Sequence, residues 1–283
     1  MEIRKIGVIG AGTMEGGIAQ IAAQSGFEVI MEDVSEEYVR AGLEKIRERL
    51  EKRFREGKLE NQEKERILSN IKITATLEDC KDADMIIEAV AEKEDTKKQI
   101  FKGLDNICSE DVVFATNTSS LSITRLANVT GRQERFAGMH FMNPAFIMKL
   151  VEVVRGLRTS DETISIVTGI AGKMGKISVI VNDSPGFISN RVLMPIINEA
   201  IYCLQNGVAS RDSIDNIMKL GANHPMGPLE LADFIGLDIC LSILEVLHNE
   251  LGDKYRPCPL LRKMVAGGKL GRKSREGFYE YTK

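Results

Sequence analysis

The stretch Lys5-Ile6-Gly7-Val8-Ile9-Gly10-Ala11-Gly12-Thr13-Met14-Glu15-Gly16-Gly17-Ile18-Ala19 reads as an apolar strand, a glycine turn and the opening of a helix. Ile6, Val8 and Ile9 supply the strand, and Ile18, Ala19, Ile21 and Ala22 the helix. Gly10 permits the tight turn and Gly12 lets the backbone come close to a phosphate, while the helix N-terminus offers free N–H groups and the positive end of its dipole. That order is a dinucleotide-binding fingerprint with one departure: the third glycine of G-x-G-x-x-G belongs at position 15, where Glu15 stands. Two readings of Glu15 stay open. At about 5 Å from a phosphate, in an effective dielectric near 20, its carboxylate would oppose binding by roughly 3 kcal/mol. Pointing to solvent, it would steady the helix through the dipole by under about 1 kcal/mol, with Gly16 completing a longer glycine motif.

A carboxylate about 20 residues after the glycines, at the end of the second strand, accepts hydrogen bonds from an adenosine ribose. Asp33, closing Phe27-Glu28-Val29-Ile30-Met31-Glu32-Asp33, is so placed. Asp33 and Glu32 would repel a 2′-phosphate, so the expected cofactor is NAD and not NADP.

Working outward, further strand-like runs fall at Glu28 to Asp33, Ile71 to Thr74, Met85 to Glu88, Val112 to Thr116, Phe136 to Phe141 and Leu150 to Val154. Strands separated by helical patterns predict an α/β domain with a doubly wound, mostly parallel, Rossmann-type sheet. The segment from Glu36 to Asn70 differs: Val39, Leu43, Ile46, Leu50 and Phe54 recur at helical spacing among charges, and Gly57 marks a turn. It predicts a helical hairpin projecting from the sheet. After Asp183-Ser184-Pro185-Gly186 helical patterns take over, over Ile188 to Leu204, Ser213 to Leu220 and Leu229 to Glu250. The expected domains are residues 1–183, binding a dinucleotide, and a smaller all-α domain over 184–283.

The 283 residues are 43% hydrophobic and 28% charged, with a net charge of −3. No general basic field for nucleic acid or anionic membrane follows from that balance, so neither is expected as a partner. No apolar run approaches the roughly 20 residues of a membrane span, and the first strand begins within a few residues of Met1, so a cytoplasmic protein is expected. The five cysteines are odd in number, widely spaced and without C-x-x-C, so reduced packing thiols are expected and no metal site. The twelve methionines are spread along the chain and read as packing.

Three polar stretches follow or begin apolar strands: Asn117-Thr118-Ser119-Ser120, Gly138-Met139-His140-Phe141-Met142-Asn143-Pro144 and Lys149-Leu150-Val151-Glu152-Val153-Val154. Polar groups beyond strand ends of a doubly wound sheet line its ligand crevice. Oxidising an alcohol by loss of hydride also requires removal of the hydroxyl proton, and an imidazole such as His140 titrates in the useful range. Glu152, in contact with the other ring nitrogen, would fix the tautomer and stabilise the imidazolium. His224, in a Pro/Gly-rich turn, reads as structural, and His248, beside Asn249 and Glu250, as solvated.

These stretches, with Gly-x-Gly-Thr-Met, Asn-Thr-Ser-Ser-Leu-Ser-Ile, Met-His-Phe-x-Asn-Pro, Lys-Leu-Val-Glu-Val, Ser-Pro-Gly-Phe-x-x-Asn-Arg, Asn-His-Pro-Met-Gly-Pro and Gly-Arg-Lys-Ser-x-x-Gly-Phe-Tyr, resemble the L-3-hydroxyacyl-CoA dehydrogenases over essentially the whole chain. The nearest likeness is to the short bacterial-type 3-hydroxybutyryl-CoA dehydrogenases. The resemblance implies reversible hydride transfer between C3 of an acyl-CoA substrate and NAD. It implies that His140 is the catalytic base, paired with Glu152, and that Ser119 and Asn190 orient the substrate oxygen, in a site between the domains. It further implies that Gly10, Gly12, Thr13, Met14 and Asp33 bind the cofactor, with Glu92, Lys97 and Asn143 lining its nicotinamide half. The charged hairpin would flank CoA, with Lys45, Lys52 and Arg53 facing its phosphates, although the interleaved acids favour a solvated helix face. A homodimer built on the helical domain is also implied. Two positions depart from the family: Glu15 and Arg275 stand where glycine is usual. Two other functions remain to be separated from the dehydrogenase: a non-catalytic structural protein resembling the lambda-crystallins, and a dehydrogenase of a free 3-hydroxy acid.

Overall fold

The computed structural model describes residues 2–282, in two compact units, Met1–Asp183 and Ser184–Lys283. The first is built on eight strands: β1 (Lys5–Ile9), β2 (Glu28–Glu32), β3 (Ile71–Thr74), β4 (Met85–Glu88), β5 (Val113–Thr116), β6 (Phe136–Phe141), β7 (Leu150–Arg155) and β8 (Ile177–Asn182). They form one sheet in the order β3-β2-β1-β4-β5-β6-β7-β8. Six strands run parallel; β7 is antiparallel to β6, and β8 parallel to β7. The reversal has a simple cause: residues 142–149 join β6 to β7 without the helix that a parallel crossover requires. Strand order turns back between β1 and β4, so the ligand crevice of this sheet lies at their carboxyl ends.

The helices of this unit are α1 (Thr13–Gln24), α2 (Glu36–Arg55), α3 (Asn61–Ser69), α4 (Glu94–Ile107), α5 (Ile123–Ala127) and α6 (Asp161–Lys173). Ser35, Ser122 and Ser160 cap α2, α5 and α6 through their hydroxyls. Central strands are apolar throughout because helices cover both faces: β4 and β5 are buried at every position. Phe101 of α4 packs edge-on to Phe136, with centroids 4.6 Å apart, and 5.7 Å from Phe114, which seats α4 under β5 and β6.

Two expectations are corrected. Sequence spacing predicts no strand at β8, because Ile177, Val179 and Ile180 are all exposed on it and its pattern carries no clean one-face alternation. The hairpin of α2 and α3 does not stand off from the sheet. Val39, Ile46, Leu50 and Ile67 share one core with α1 and the strands, and Arg49 donates to Gly16 O and Gln20 Oε1 of α1.

The second unit contains α7 (Ser189–Gln205), α8 (Arg211–Gly221), α9 (Pro228–Ile235), α10 (Leu237–Leu251) and α11 (Pro259–Ala266), around a core that includes Met194, Ile197, Leu229, Leu244 and Leu261. Buried Asp233 ties down the tail, accepting from Phe278 N and Tyr279 N at 2.9 Å and from the Tyr281 hydroxyl at 3.0 Å. Burial pushes the Asp233 carboxyl above its ordinary range despite those donors. Isolated β-bridges link Gly271 to Glu276 and Glu276 to Glu280 in an otherwise helical unit. Among the described residues, no helix is long and apolar enough to cross a membrane, and no group of three or more His, Cys, Asp or Glu side chains could hold a metal ion.

Candidate active site

The carboxyl end of β1 carries the first element of the site. Gly10 turns at φ +107°, a conformation that disfavours any side chain, and its N–H donates to Glu32 O at 2.6 Å. Asp33, just beyond β2, braces the turn: its Oδ2 accepts from Ala11 N at 2.8 Å. Gly12 caps α1 without a side chain. The α1 N-terminus offers backbone donors beside a glycine turn, the kind of site that suits an anionic dinucleotide once the turn is clear of side chains. Thr13 is exposed and Met14 half-buried in the same turn. Helix α2 comes close here too, because Gly42 lets its backbone meet Ala11; a methyl group on Gly42 would sit 2.6 Å from Ala11 O.

Glu15 does not point to solvent. Its half-buried side chain folds back over the glycine turn: a methyl group on Gly10 would lie 2.6 Å from its Cγ, and one on Gly12 would lie 2.7 Å from its Oε2. Burial raises its carboxyl above the ordinary range, against the pull of a hydrogen bond from its own amide. Glu32, buried beside Asp33, is pushed up to about 7 by burial first and by the Asp33 charge second.

A charged network occupies the ends of β4 and β5. Lys97 of α4 is fully buried, its Nζ donating to Glu88 Oε1 at 2.6 Å and to Val90 O at 3.0 Å, 3.7 Å from Glu92 Oε2. Glu88, also fully buried, accepts from Thr116 Oγ1 at 2.6 Å. Burial raises the Glu88 carboxyl, and Lys97 and Thr116 offset part of that. Glu92 goes the other way. Burial pulls it up, but the Lys97 charge and the donors of Thr118, Ser119 and Ser120 outweigh burial and hold it below the ordinary range. Its Oε1 accepts from Thr118 Oγ1 (2.6 Å), Ser119 N (2.9 Å), Ser119 Oγ (3.2 Å), Ser120 N (3.0 Å) and Ser120 Oγ (3.0 Å). One carboxylate oxygen thus organises the loop that presents Ser119, and the other, Oε2, links that loop through Lys97 to Glu88. Glu88 and Thr116 escaped sequence reasoning, since each closes an apolar strand with nothing in the chain order to pair them.

His140 and Glu152 face each other across β6 and β7 in direct register. Nδ1 of His140 lies 2.8 Å from Glu152 Oε2, with the residues only 8% and 2% exposed. Phe141 N donates to Asn117 Oδ1 at 2.8 Å, which ties the end of β6 to the loop after β5. Asn143 is exposed in the following loop, which packs on α1: a methyl group on Gly17 would meet Ala145 Cβ at 3.2 Å. Lys176 Nζ clamps that loop through Ala145 O at 2.5 Å and Met148 O at 2.8 Å.

The hairpin residues expected at CoA lie well along α2 from the glycine turn. Lys52 is exposed, 4.0 Å from Glu56, and Arg53 is half-buried. Both lie ten or more residues along α2 from Gly42, about 15 Å at 1.5 Å per residue. Lys45 is exposed on the same helix. Asn190 belongs to the second unit, 9% exposed in the first turn of α7. The turn before it is strained, with Gly186 at φ +70° and buried Phe187 at +48°. His248, expected to be solvated, pairs with Asp253 Oδ1 at 2.9 Å with 28% of its side chain exposed. Cys80, Cys108, Cys240 and Cys258 are buried thiols, and burial pushes Cys80 and Cys240 up to about 12.

Comparison with known proteins bears on this arrangement directly. Residues 5–184 match the family model described as the NAD binding domain of 3-hydroxyacyl-CoA dehydrogenase, and residues 186–281 match the C-terminal domain of the same family. The chain is 57% identical over 282 residues to a probable 3-hydroxybutyryl-CoA dehydrogenase of Bacillus subtilis, covering 99% of this chain and 98% of that one. It is 50% identical over 280 residues to a 3-hydroxybutyryl-CoA dehydrogenase of Bradyrhizobium diazoefficiens, covering 99% and 96%. Among solved structures, an (S)-3-hydroxybutyryl-CoA dehydrogenase of Ralstonia eutropha superposes with a TM-score of 0.97 at 48% identity, covering 100% of both chains. With identity of this degree over the full length, and both domain models matched in order, the chain belongs to the 3-hydroxyacyl-CoA dehydrogenase family, and its first unit is that family's NAD-binding domain.

Proposed function

We propose that this protein interconverts an L-3-hydroxyacyl-CoA, 3-hydroxybutyryl-CoA in the short-chain case, and the corresponding 3-ketoacyl-CoA, with His140 as general base and acid. The single observation that carries this reading is the buried His140–Glu152 pair, 2.8 Å apart across adjacent strands. With Nδ1 engaged by Glu152, the tautomer is set so that Nε2 is the atom exchanging a proton with the substrate hydroxyl. The Glu152 carboxylate then stabilises the imidazolium that results. Ser119, pinned at both amide and hydroxyl by Glu92, holds the substrate oxygen from one side. Asn190 supplies the second orienting group, and Lys52 and Arg53 serve CoA phosphates.

A bound NAD would supply the hydride acceptor for oxidation at C3, and NADH the donor for reduction. The residues that would hold it are Gly10, Gly12, Thr13 and Met14 at its pyrophosphate, Asp33 at its adenosine ribose, and Glu92, Lys97 and Asn143 toward its nicotinamide. Second copies of the chain would pair through the second unit, where Val192, Ile217, Leu220, Phe234 and Ile239 are exposed apolar residues.

Oxidation of NADH by acetoacetyl-CoA, followed at 340 nm, tests the reading. General acid–base assistance contributes about 10² to 10⁴ in rate, so His140→Ala loses turnover by that order while NADH titration remains nearly unchanged. Turnover of acetoacetate without CoA would replace this reading by a free-acid dehydrogenase. Absence of turnover on either, with NADH still bound, would favour a structural protein.

A further inference from the structure

The glycine turn of the first unit already contains an anion. Glu15 Oε2 would lie 2.7 Å from a methyl group on Gly12, and Glu15 Oε1 and Cγ would lie 3.0 and 2.6 Å from one on Gly10. The empty space that those two glycines create, and that lets a phosphate approach the backbone, is filled by this carboxylate. Its electrostatic setting also belongs to the cofactor crevice: burial and the charges of Asp33 and Glu88 disfavour its ionised form, while its own amide and Lys97 favour it. From α2, the Arg49 guanidinium donates to Gly16 O and Gln20 and stacks on the Phe146 ring at 5.0 Å.

We propose that Glu15 is an internal substitute for the cofactor's pyrophosphate: it occupies the glycine turn and the α1 N-terminus in the free protein and must be displaced before a dinucleotide binds. The inference rests on the NAD reading above and adds to it a residue that sets cofactor affinity and residence time. Both anions seek the same helix end and the same backbone approach. A helix N-terminus gains from one negative charge and cannot seat two within a few ångströms, where like charges repel at roughly a hundredfold in binding in a partly desolvated site. Because the glutamate side chain turns about three torsions, it can vacate the turn, and the expected loss of affinity is then what the free protein gains from holding it there. The consequence is a dinucleotide that binds more weakly and leaves faster than the rest of the site would allow.

The discriminating experiment compares the full chain with Glu15→Gln, which keeps the shape and removes the charge, and with Glu15→Gly, by calorimetric titration of NADH, ADP-ribose and adenosine. The expected result is binding of NADH and ADP-ribose tighter by about tenfold or more in both variants, with adenosine, which carries no phosphate, unchanged. Stopped-flow release of NADH is slower in the variants by a comparable factor. Equal affinities for ADP-ribose in all three proteins would overturn the proposal, as would an equal gain for adenosine, since that gain would not come from displacing an anion at the turn. NADH binding to none of the three would instead overturn the NAD reading beneath it.

Discussion

Replacing Glu152 by glutamine keeps the side chain's shape and a hydrogen-bonding oxygen but removes the charge facing His140. The two residues are 2.8 Å apart at Nδ1 and Oε2 and almost wholly screened from solvent. Taking the charge centres as about 4 Å apart and an effective dielectric of about 20, the carboxylate stabilises a full imidazolium by about 4 kcal/mol. The proton is partly transferred in the transition state, so the loss falls between about 2 and 4 kcal/mol, roughly 30- to 1,000-fold in kcat. The assay is acetoacetyl-CoA reduction at 340 nm, with NADH titration as the control that the cofactor site is intact. A double-mutant cycle sharpens the test, because Glu152 acts only through the imidazole. In a His140→Ala background, adding Glu152→Gln costs under about 0.5 kcal/mol. Turnover of Glu152→Gln within about threefold of the parent protein, or fully additive losses in the cycle, would refute the pairing as the source of the proton chemistry.

Other consequences follow from buried charge. Lys97→Met strands the Glu88 carboxylate in the core, and losing one partner of such a pair costs about 3 to 5 kcal/mol in urea unfolding at neutral pH. The deficit shrinks as the pH falls, because Glu88, already pushed up by burial, takes a proton. Glu32 titrates near 7 in the folded protein against an unfolded value of 4.5. Folding therefore takes up a proton between those values, and this group's contribution is full below pH 4.5 and lost as pH rises through 7. Against Glu32→Gln, the parent protein loses up to about 3 kcal/mol of stability over that window, and parallel pH profiles would refute it. Arg275 sits at φ +64°, where a side chain costs about 1 kcal/mol, so Arg275→Gly raises stability in chemical denaturation by about 0.5 to 1 kcal/mol without altering turnover.

What the chain order discloses about this molecule depends on how far apart the interacting residues lie. The strand, turn and helix around Gly10 are contiguous, so apolar spacing and glycine sterics alone locate them, and the acid at Asp33 follows because the second strand runs beside the first. His140 and Glu152 stand twelve positions apart on strands joined by a short loop, a separation small enough for a pattern reader to pair them by chemistry. Glu88, Lys97 and Glu92 are different. Each looks ordinary in place, one ending an apolar strand, one inside a charged helix and one in a loop, and their association with Thr116 and Ser119 appears only when β5 lies beside β4. The edge strand β8 hides for the opposite reason: with three of its four apolar residues in solvent, it lacks the burial contrast from which periodicity is read. Glu15 shows the limit most plainly. Its position in the fingerprint announces a conflict with an anionic ligand, but whether its carboxylate lies over the turn or away from it is decided by side-chain torsions and by the packing of Gly10 and Gly12, which no spacing rule encodes. The residues that modulate the site are thus those whose meaning comes from the third dimension, while those that define its chemistry are written locally.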